Sequence, residues 1–496
     1  MKFSFRVFLA LVVAFVMLAA GCGNDDDDTS TIPVEATAQS TETPQAPEPE
    51  PEPTEASSDE STDTAGNEPE DMADSETEEM PEEPEEDYST FVSIEGVDGV
   101  SDAEIAVAVI GTKSNNPTGI CALDCYTTGV QAYFDKINDE GGIWGRELVI
   151  SDVVDDELFN NQAAALEVIA DGDAFAVFTA TLFASGWVEL DNAGVPSFHW
   201  GIHAPEADGK LSNFSIVAPT CAGCTVRHIP YLVQQGGGTR VAALGIGVTE
   251  NSRICTGSYR DSINMYSEEI GAEVAYFNDE LEFGLPNGIG PQVTAMIEAD
   301  VDFVVSCMDL NSMITLAQEL QRQGVRDSIT LHHANAYDHA FVEESGELFE
   351  GDYVAIQLAP QESDMQIVRD FLHWTEENGG PTSEQTMSGW VNAHLFVEGL
   401  KVAGPEFDRA SYIDAANTQL TNYTADGMIN ATDWSRQHSS PTPDDRTSNG
   451  HELECQAIVQ VKDKAFEIVS GDPTKPFLCW DNSNTDWAQP EPTSFE

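Results

Sequence analysis

From residue 103 onward, short β-rich runs alternate with stretches whose apolar residues recur at helical spacing. Ile105 to Ile110 (IAVAVI) predicts a strand ended by Gly111, and a polar loop follows through Thr118. In Gly129 to Ile137, Val130, Phe134 and Ile137 fall on one helix face, and Glu140-Gly141-Gly142 stops the helix. Leu148 to Val154 predicts a strand, Asn161 to Ala170 a helix, Phe175 to Phe178 a strand and Gly186 to Asn192 a helix. A further strand, Val195 to Phe198, starts at a Gly-Val-Pro turn.

A second set follows Pro219. Strands are predicted at Val241 to Ile246, Glu273 to Phe277, Phe303 to Cys307, Ser328 to Leu331 and Tyr353 to Leu358. The intervening helices are Tyr259 to Ile270, Gln292 to Ala299 and Ser312 to Gln323. Helices Met365 to Asn378 and Met387 to Ala403 come next, and a strand pair, Gln456 to Val461 and Ala465 to Val469, closes the pattern. Strand and helix alternating over short links imply a parallel sheet covered on both faces. Two such sets in series predict an α/β protein of two doubly wound, Rossmann-like lobes.

The first 22 residues break this pattern. Lys2 and Arg6 precede an apolar run, Val7 to Leu18, and the small residues Ala19, Ala20 and Gly21 lead to Cys22. A positive start, a short apolar core and a small-residue exit predict an export signal. The small residues directly before a cysteine resemble the lipobox of bacterial lipoproteins, which makes Cys22 the expected acylated N-terminus and places the mature protein outside the cytoplasm, anchored to the outer face of the membrane.

From Gly23 to about Asp87 the chain is Asp, Glu, Pro, Ser and Thr, with no Lys or Arg. Such a segment buries too little to offset its ordering entropy, and it predicts an extended acidic stalk, with the linker as a whole assigned to 23–102. Across the chain 88 acidic residues face 20 Lys and Arg, for a formal net charge of −68. That balance excludes nucleic acid and anionic lipid surfaces as partners. The roughly 400 remaining residues are too many for one simple core and suit two lobes.

Nine cysteines less the lipidated one leave an even number in an exported chain, which predicts disulfides. The preferred pairing joins Cys121 to Cys125, Cys221 to Cys224, Cys255 to Cys307 and Cys455 to Cys479, although spacing alone does not fix connectivity.

Several stretches resemble the branched-chain amino-acid-type solute-binding proteins of ABC transporters, which have the type I periplasmic-binding fold. Phe134 to Leu148 (FDKINDEGGIWGREL) is similar to that family's join between first helix and second strand. Asp155-Asp156 with the following helix, the turn Ala193-Gly194-Val195-Pro196 and the stretch Gly389 to Gly404 resemble later family segments. The resemblance implies three crossovers between lobes, near Pro219, Pro360 and Cys455. The implied N-terminal lobe is 103–219 with 361–454, the C-terminal lobe is 220–360 with 455–480, and 481–496 is a tail. It further implies a hinge that closes over a small-molecule ligand, a permease as partner, a monomer, no cofactor and no catalysis.

In the family, loops after the first, third and fourth strands line the cleft. Here they carry Lys113 and Ser114; Thr179, Thr181, Phe183 and Ser185; and His199, Trp200 and His203. Thr181 and Ser185 precede a helix and serve either as caps or, with free N–H groups, as holders of an anionic or polar head. Trp200 offers an aromatic face for a ring or cation. From the other lobe come Asn251 to Thr256 with Arg253, Met308 to Asn311 with Asp309, and His332 to Asp338 with Asn335, Tyr337 and Asp338. The family's acidic residue in the last loop falls near Ala334 or Asn335 and is missing, so Asp309 or Asp338 is expected to supply the charge. An amide, a urea-like compound or an aromatic acid becomes as plausible as an amino acid.

Other chemistry finds less support. Cys221-Ala222-Gly223-Cys224 has redox-dithiol spacing, but at an expected crossover a structural disulfide is the better reading. A zinc site with His228 would need a second CxxC or paired histidines, and His332 and His333, adjacent on a strand, should face opposite ways. No G-x-S-x-G elbow occurs, and Gly236-Gly237-Gly238 lacks the Lys of a phosphate loop and reads as a helix stop. A ligand sensor working through a separate membrane partner, or a CxxC thiol oxidoreductase, are the alternatives. A sensor that signals through its own chain would need a membrane helix beyond the fold, whereas a lipid-anchored sensor acting through a separate membrane partner needs none.

Overall fold

A computed structural model describes residues 88–217, 219 and 221–495. The export signal, Cys22 and the stalk to Asp87 lie outside the described residues. The first sheet comprises β1 (Glu104–Gly111), β2 (Glu147–Asp155), β3 (Ala176–Ala180), β4 (Ser197–His199) and β5 (Asn213–Phe214). All are parallel, in the order β2-β1-β3-β4-β5. The helices between them are α1 (Leu123–Asp139), α2 (Asn161–Asp171), α3 (Trp187–Asn192) and α4 (Ala204–Ala207).

β1 has side chains buried on both faces, as a central parallel strand must. Ile105, Val107 and Val109 join the larger core with Tyr126, Phe134 and Phe178, whereas Ala108 and Ile110 join a smaller one with Ala165, Val177 and Leu190.

The chain then enters α5 (His228–Gln235) and the second sheet. Its parallel part is β6 (Arg240–Ile246), β7 (Glu273–Leu281), β8 (Phe303–Cys307), β9 (Thr330–His333) and β10 (Tyr353–Ile356). The helices here are α6 (Glu250–Met265), α7 (Ser267–Ile270), α8 (Gly290–Glu298), α9 (Leu310–Arg322) and α10 (His339–Ser345). After β10 the chain returns to the first lobe as α11 (Gln366–Glu377), α12 (Glu384–Ala403) and α13 (Arg409–Gln419). A last passage delivers β11 (Leu453–Lys462), β12 (Ala465–Ile468) and β13 (Phe477–Asp481), which add antiparallel strands beside β10.

The three passages between sheets brace one another. Arg446 donates to Thr225 O (2.6 Å), joining the first to the third, and Ala359 N–H donates to Met428 O (2.8 Å), joining the second to the third. All four cysteine pairs form disulfides: Cys121–Cys125, Cys221–Cys224, Cys255–Cys307 and Cys455–Cys479. The third ties the end of β8 to α6, and the fourth joins directly opposed residues of β11 and β13.

The structure corrects several expectations. Residues 88–102, assigned to the stalk, pack on the first lobe: Trp144 N–H donates to Tyr88 O (2.8 Å), Arg146 donates to Val92 O (2.6 Å), and the Arg146 guanidinium lies over the Phe91 ring (4.7 Å). The apolar Phe91, Ile94, Val97 and Val100 carry this packing within a polar stretch.

The helix expected from Tyr259 starts at Glu250 and breaks at Tyr266, so Asn251 to Thr256 is helix, not loop. Its buried face includes Thr256, Ser258 and Ser262; Thr256 Oγ1 donates to Ser252 O, and Ser262 Oγ donates to Ser258 O and accepts from Val226 N–H, so apolar periodicity does not reveal it. The tail is docked too: Tyr266 donates to Thr485 O (2.7 Å) and Trp480 Nε1 to Ala488 O (3.0 Å).

Candidate functional site

Parallel strands put their following loops at one edge of each sheet, and the two edges face each other. On the first lobe a buried carboxylate organises these loops. Asp156, just past β2, accepts from Thr112 Oγ1 (2.8 Å), Leu158 N–H (2.9 Å) and the Thr181 hydroxyl. Thr112 Oγ1 in turn accepts from Leu182 N–H (3.1 Å). Asp155 accepts from the backbone N–H of Lys113 (3.0 Å) and Ser114 (3.1 Å), fixing the loop after β1. Lys113 itself pairs with Asp124 at the surface (2.9 Å).

Thr181 and Ser185 do not cap α3. Asn161 Oδ1 accepts from Ser185 N–H (2.9 Å) and Gly186 N–H (2.7 Å), so a side chain from α2 uses the donors expected to be open to a ligand. The Asx pair Asp156 and Asn161 were not singled out as site residues; their signal was the Asp155-Asp156 pair directly after a strand.

His199 is buried between two hydroxyls, Thr179 on Nδ1 and Ser197 on Nε2, each at 2.8 Å, and burial lowers its pKa below the ordinary imidazole value. Both of its ring nitrogens are thus held by core hydroxyls. Trp200 is half-buried beside it, its N–H donated to Thr179 O (2.8 Å). His203 flanks α4 and pairs with Glu206 (3.1 Å), a contact that raises its pKa. Asn161, Thr179, Thr181, Trp187 and His199 pack around a gap too narrow to admit a water molecule.

On the second lobe, Arg253 is exposed on α6 and donates to Gly247 O (2.9 Å). Asp309 caps α9, accepting from Ser312 N–H (2.9 Å), the Ser312 hydroxyl (2.5 Å) and Gly284 N–H (3.1 Å); burial raises its pKa against those bonds. Asp338 accepts from Phe341 N–H (3.0 Å) at the start of α10. Both carboxylates are thus engaged locally. Asn335 is exposed at φ +52°, and Tyr337 is buried, donating to Glu362 Oε2 (2.7 Å) and accepting from Gln361 N–H (2.7 Å). His332 faces the Tyr259 ring and His333 faces Asp352 (2.7 Å), on opposite sides of β9. Among the described residues no cluster of three or more His, Cys, Asp or Glu is arranged to hold a metal.

The lobes touch at the mouth. Asn311 donates its backbone N–H to Thr118 O (3.0 Å) and Nδ2 to Pro117 O (2.8 Å). Gly119 has φ +78°, a conformation that favours glycine, and a Cβ there would stand 2.6 Å from Asn311 Oδ1 and displace that side chain. Phe183 stacks on Phe159 (5.4 Å between centroids) and meets Phe283 of the second lobe edge-on (6.1 Å). Asn311→Ala removes one cross-lobe hydrogen bond worth about 1 kcal/mol and is expected to shift the protein toward a more open form. Small-angle scattering checks this: a radius of gyration identical to that of the parent would count against the contact's role in closure.

Two doubly wound lobes joined by three passages, with strand-end loops facing across a closed crevice, define a hinged two-lobe binding fold. The chain belongs to the family of periplasmic binding proteins, whose sequence profile matches residues 104–465. No curated protein sequence matches it. Among solved structures it is similar to a branched-chain amino acid ABC transporter protein of Thermus thermophilus with bound valine (TM-score 0.56, 16% identity, 74% of this chain and 95% of that one). It is also similar to a solute-binding protein of R. palustris in complex with 4-hydroxybenzoate (TM-score 0.57, 14% identity, 77% and 98%). A third is a fatty acid ABC transporter substrate-binding protein of Thermomonospora curvata (TM-score 0.55, 16% identity, 75% and 93%). At these identities the likeness speaks to fold. Among the described residues no helix is long and apolar enough to cross a membrane.

Proposed function

We propose that the protein is the extracytoplasmic receptor of an ABC transporter, closing two hinged lobes over a small solute and presenting it to a permease. The observation that carries this reading is the pair of facing strand-end edges joined by three braced passages, in a chain of the periplasmic binding protein family. In this reading Cys22 carries the lipid anchor, the acidic segment to Asp87 is the tether, and the receptor works as a monomer. The ligand is an amino acid or a related small polar molecule such as an amide, a urea or an aromatic acid. Of the solutes named for the similar structures, valine and 4-hydroxybenzoate fall within that range and a fatty acid does not.

A thermal-shift screen of the full chain against amino acids, amides, ureas and aromatic acids tests the proposal, because a solute bound only by the folded state raises the midpoint by mass action. A midpoint unmoved by every class would sink it. Trp200, half-buried in the loop after β4, is expected to contribute contact area to the solute. Trp200→Ala should weaken binding about ten-fold or more while changing stability by about 1 kcal/mol or less. Equal affinities by calorimetry would refute this role.

A further inference from the structure

The receptor reading leaves open which head group the solute turns to the first lobe, and the donors of that lobe bear on it. A carboxylate in the crevice needs hydroxyl or N–H donors aimed at it, or a cation beside it. The chain's own side chains hold those donors. Asn161 is only 3% exposed, and its Oδ1 accepts from both Ser185 N–H (2.9 Å) and Gly186 N–H (2.7 Å). Thr112 and Thr181 donate their hydroxyls to Asp156, and the Thr179 hydroxyl is paired with His199. Lys113 and Ser114 give their backbone N–H groups to Asp155.

Charge points the same way. Asp156 is buried, and its side chain is held by two hydroxyls, the Leu158 N–H and Asn161 Nδ2 (3.4 Å). Among the described residues none of these partners is Lys or Arg, so no ion pair offsets its charge. Asp155 stands beside it, partly exposed, and Glu157 is exposed one residue further on. Lys113, on the neighbouring loop, is paired with Asp124 at the surface, and Arg253 belongs to the second lobe and donates to Gly247 O. An anion seated at this edge would give up its water, find these donors taken and stand near a like charge in a shielded crevice, where screening is weak. A neutral head group that brings N–H donors of its own escapes those costs, and the partly exposed Asp155 gives it an acceptor.

We propose that Asn161 and Asp156 are specificity-determining residues that bar a carboxylate from the first lobe, so that the solute presents a neutral amide- or urea-type head group there. This rests on the receptor reading and narrows its ligand to the amides and ureas within the range given above.

The test is calorimetry on the full chain at neutral pH with matched pairs that differ only in the head group: benzamide and benzoate, 4-hydroxybenzamide and 4-hydroxybenzoate, butyramide and butyrate. In a pair that binds, the amide is expected to bind about ten-fold or more tightly than the acid. Asn161→Ala frees the N–H groups of Ser185 and Gly186, and Asp156→Asn removes the charge. Each should raise the affinity for the acid relative to its amide by about ten-fold. If both variants fold, as circular dichroism checks, and neither moves that ratio, the two residues are merely structural and the proposal is overturned. Should either variant fail to fold, the ratio measured on the parent protein decides. If an acid binds as tightly as its amide, or if amino acids and other carboxylates are the compounds that bind, the receptor reading stands and this one falls. If no compound of the pairs or of the wider screen binds, both fall.

Discussion

Glu454→Ala is expected to destabilise the folded protein by about 3–5 kcal/mol, the usual cost of removing one partner from a buried ionic network. Glu454 Oε1 accepts from Arg227 N–H (2.7 Å), His228 N–H (2.9 Å) and His228 Nδ1 (2.7 Å). Its Oε2 faces Arg227 Nε (3.4 Å) and Arg446 (3.8 Å). Arg227 is 1% exposed and reaches on to Asn484 O (3.1 Å), so losing the carboxylate strands a buried guanidinium. The network stands where the first and third passages enter the second lobe, and its loss should also loosen the docked tail.

Burial alone would raise the Glu454 carboxyl, but the His228 bonds and the Arg227 charge hold it down at about 2. A folded-state pKa below the unfolded one adds stability that is fully present above the unfolded value of about 4.3 and is lost as pH falls toward 2. Urea unfolding at neutral pH and at pH 3 checks both parts. A neutral-pH loss under about 1 kcal/mol, or a parent protein whose margin over the variant does not shrink in acid, would contradict the account.

Gly129→Val should be nearly as damaging, for a different reason. A Cβ at Gly129 would lie 1.9 Å from Thr386 O, and one at Gly389 would lie 2.2 Å from Tyr126 O. Helices α1 and α12 thus meet backbone to backbone at two glycines, and neither carbonyl can move without breaking its own helix. Overpacking of this kind costs about 3 kcal/mol or more. Gly389→Ala meets the same kind of backbone clash and should lower the denaturation midpoint as well. Wild-type denaturation midpoints for Gly129→Val would show that the helices can separate at no cost.

The strand pattern of both lobes was legible because central parallel strands are apolar on both faces: Ile105 to Ile110 and Phe303 to Cys307 lie within a residue or so of their observed ends. What escaped were elements without that signature. Helix α6 presents hydroxyls to its core, α13 alternates polar and small residues, and β5 is only two residues long. For the site, the loops were legible but the orientations were not. His199, Asp309 and Thr181 are each occupied by partners 2 to 25 residues away, which apolar periodicity does not announce.

The braced passages constrain what kind of motion the two halves can make. Three threads crossing one gap and stitched to each other by Arg446 and Ala359 flex together readily, but they resist any sliding or unscrewing that would stretch one against its neighbours. Opening is thereby confined to a swing about a single axis, like a lid on a row of pins, so each return brings the same residues of the two rims face to face.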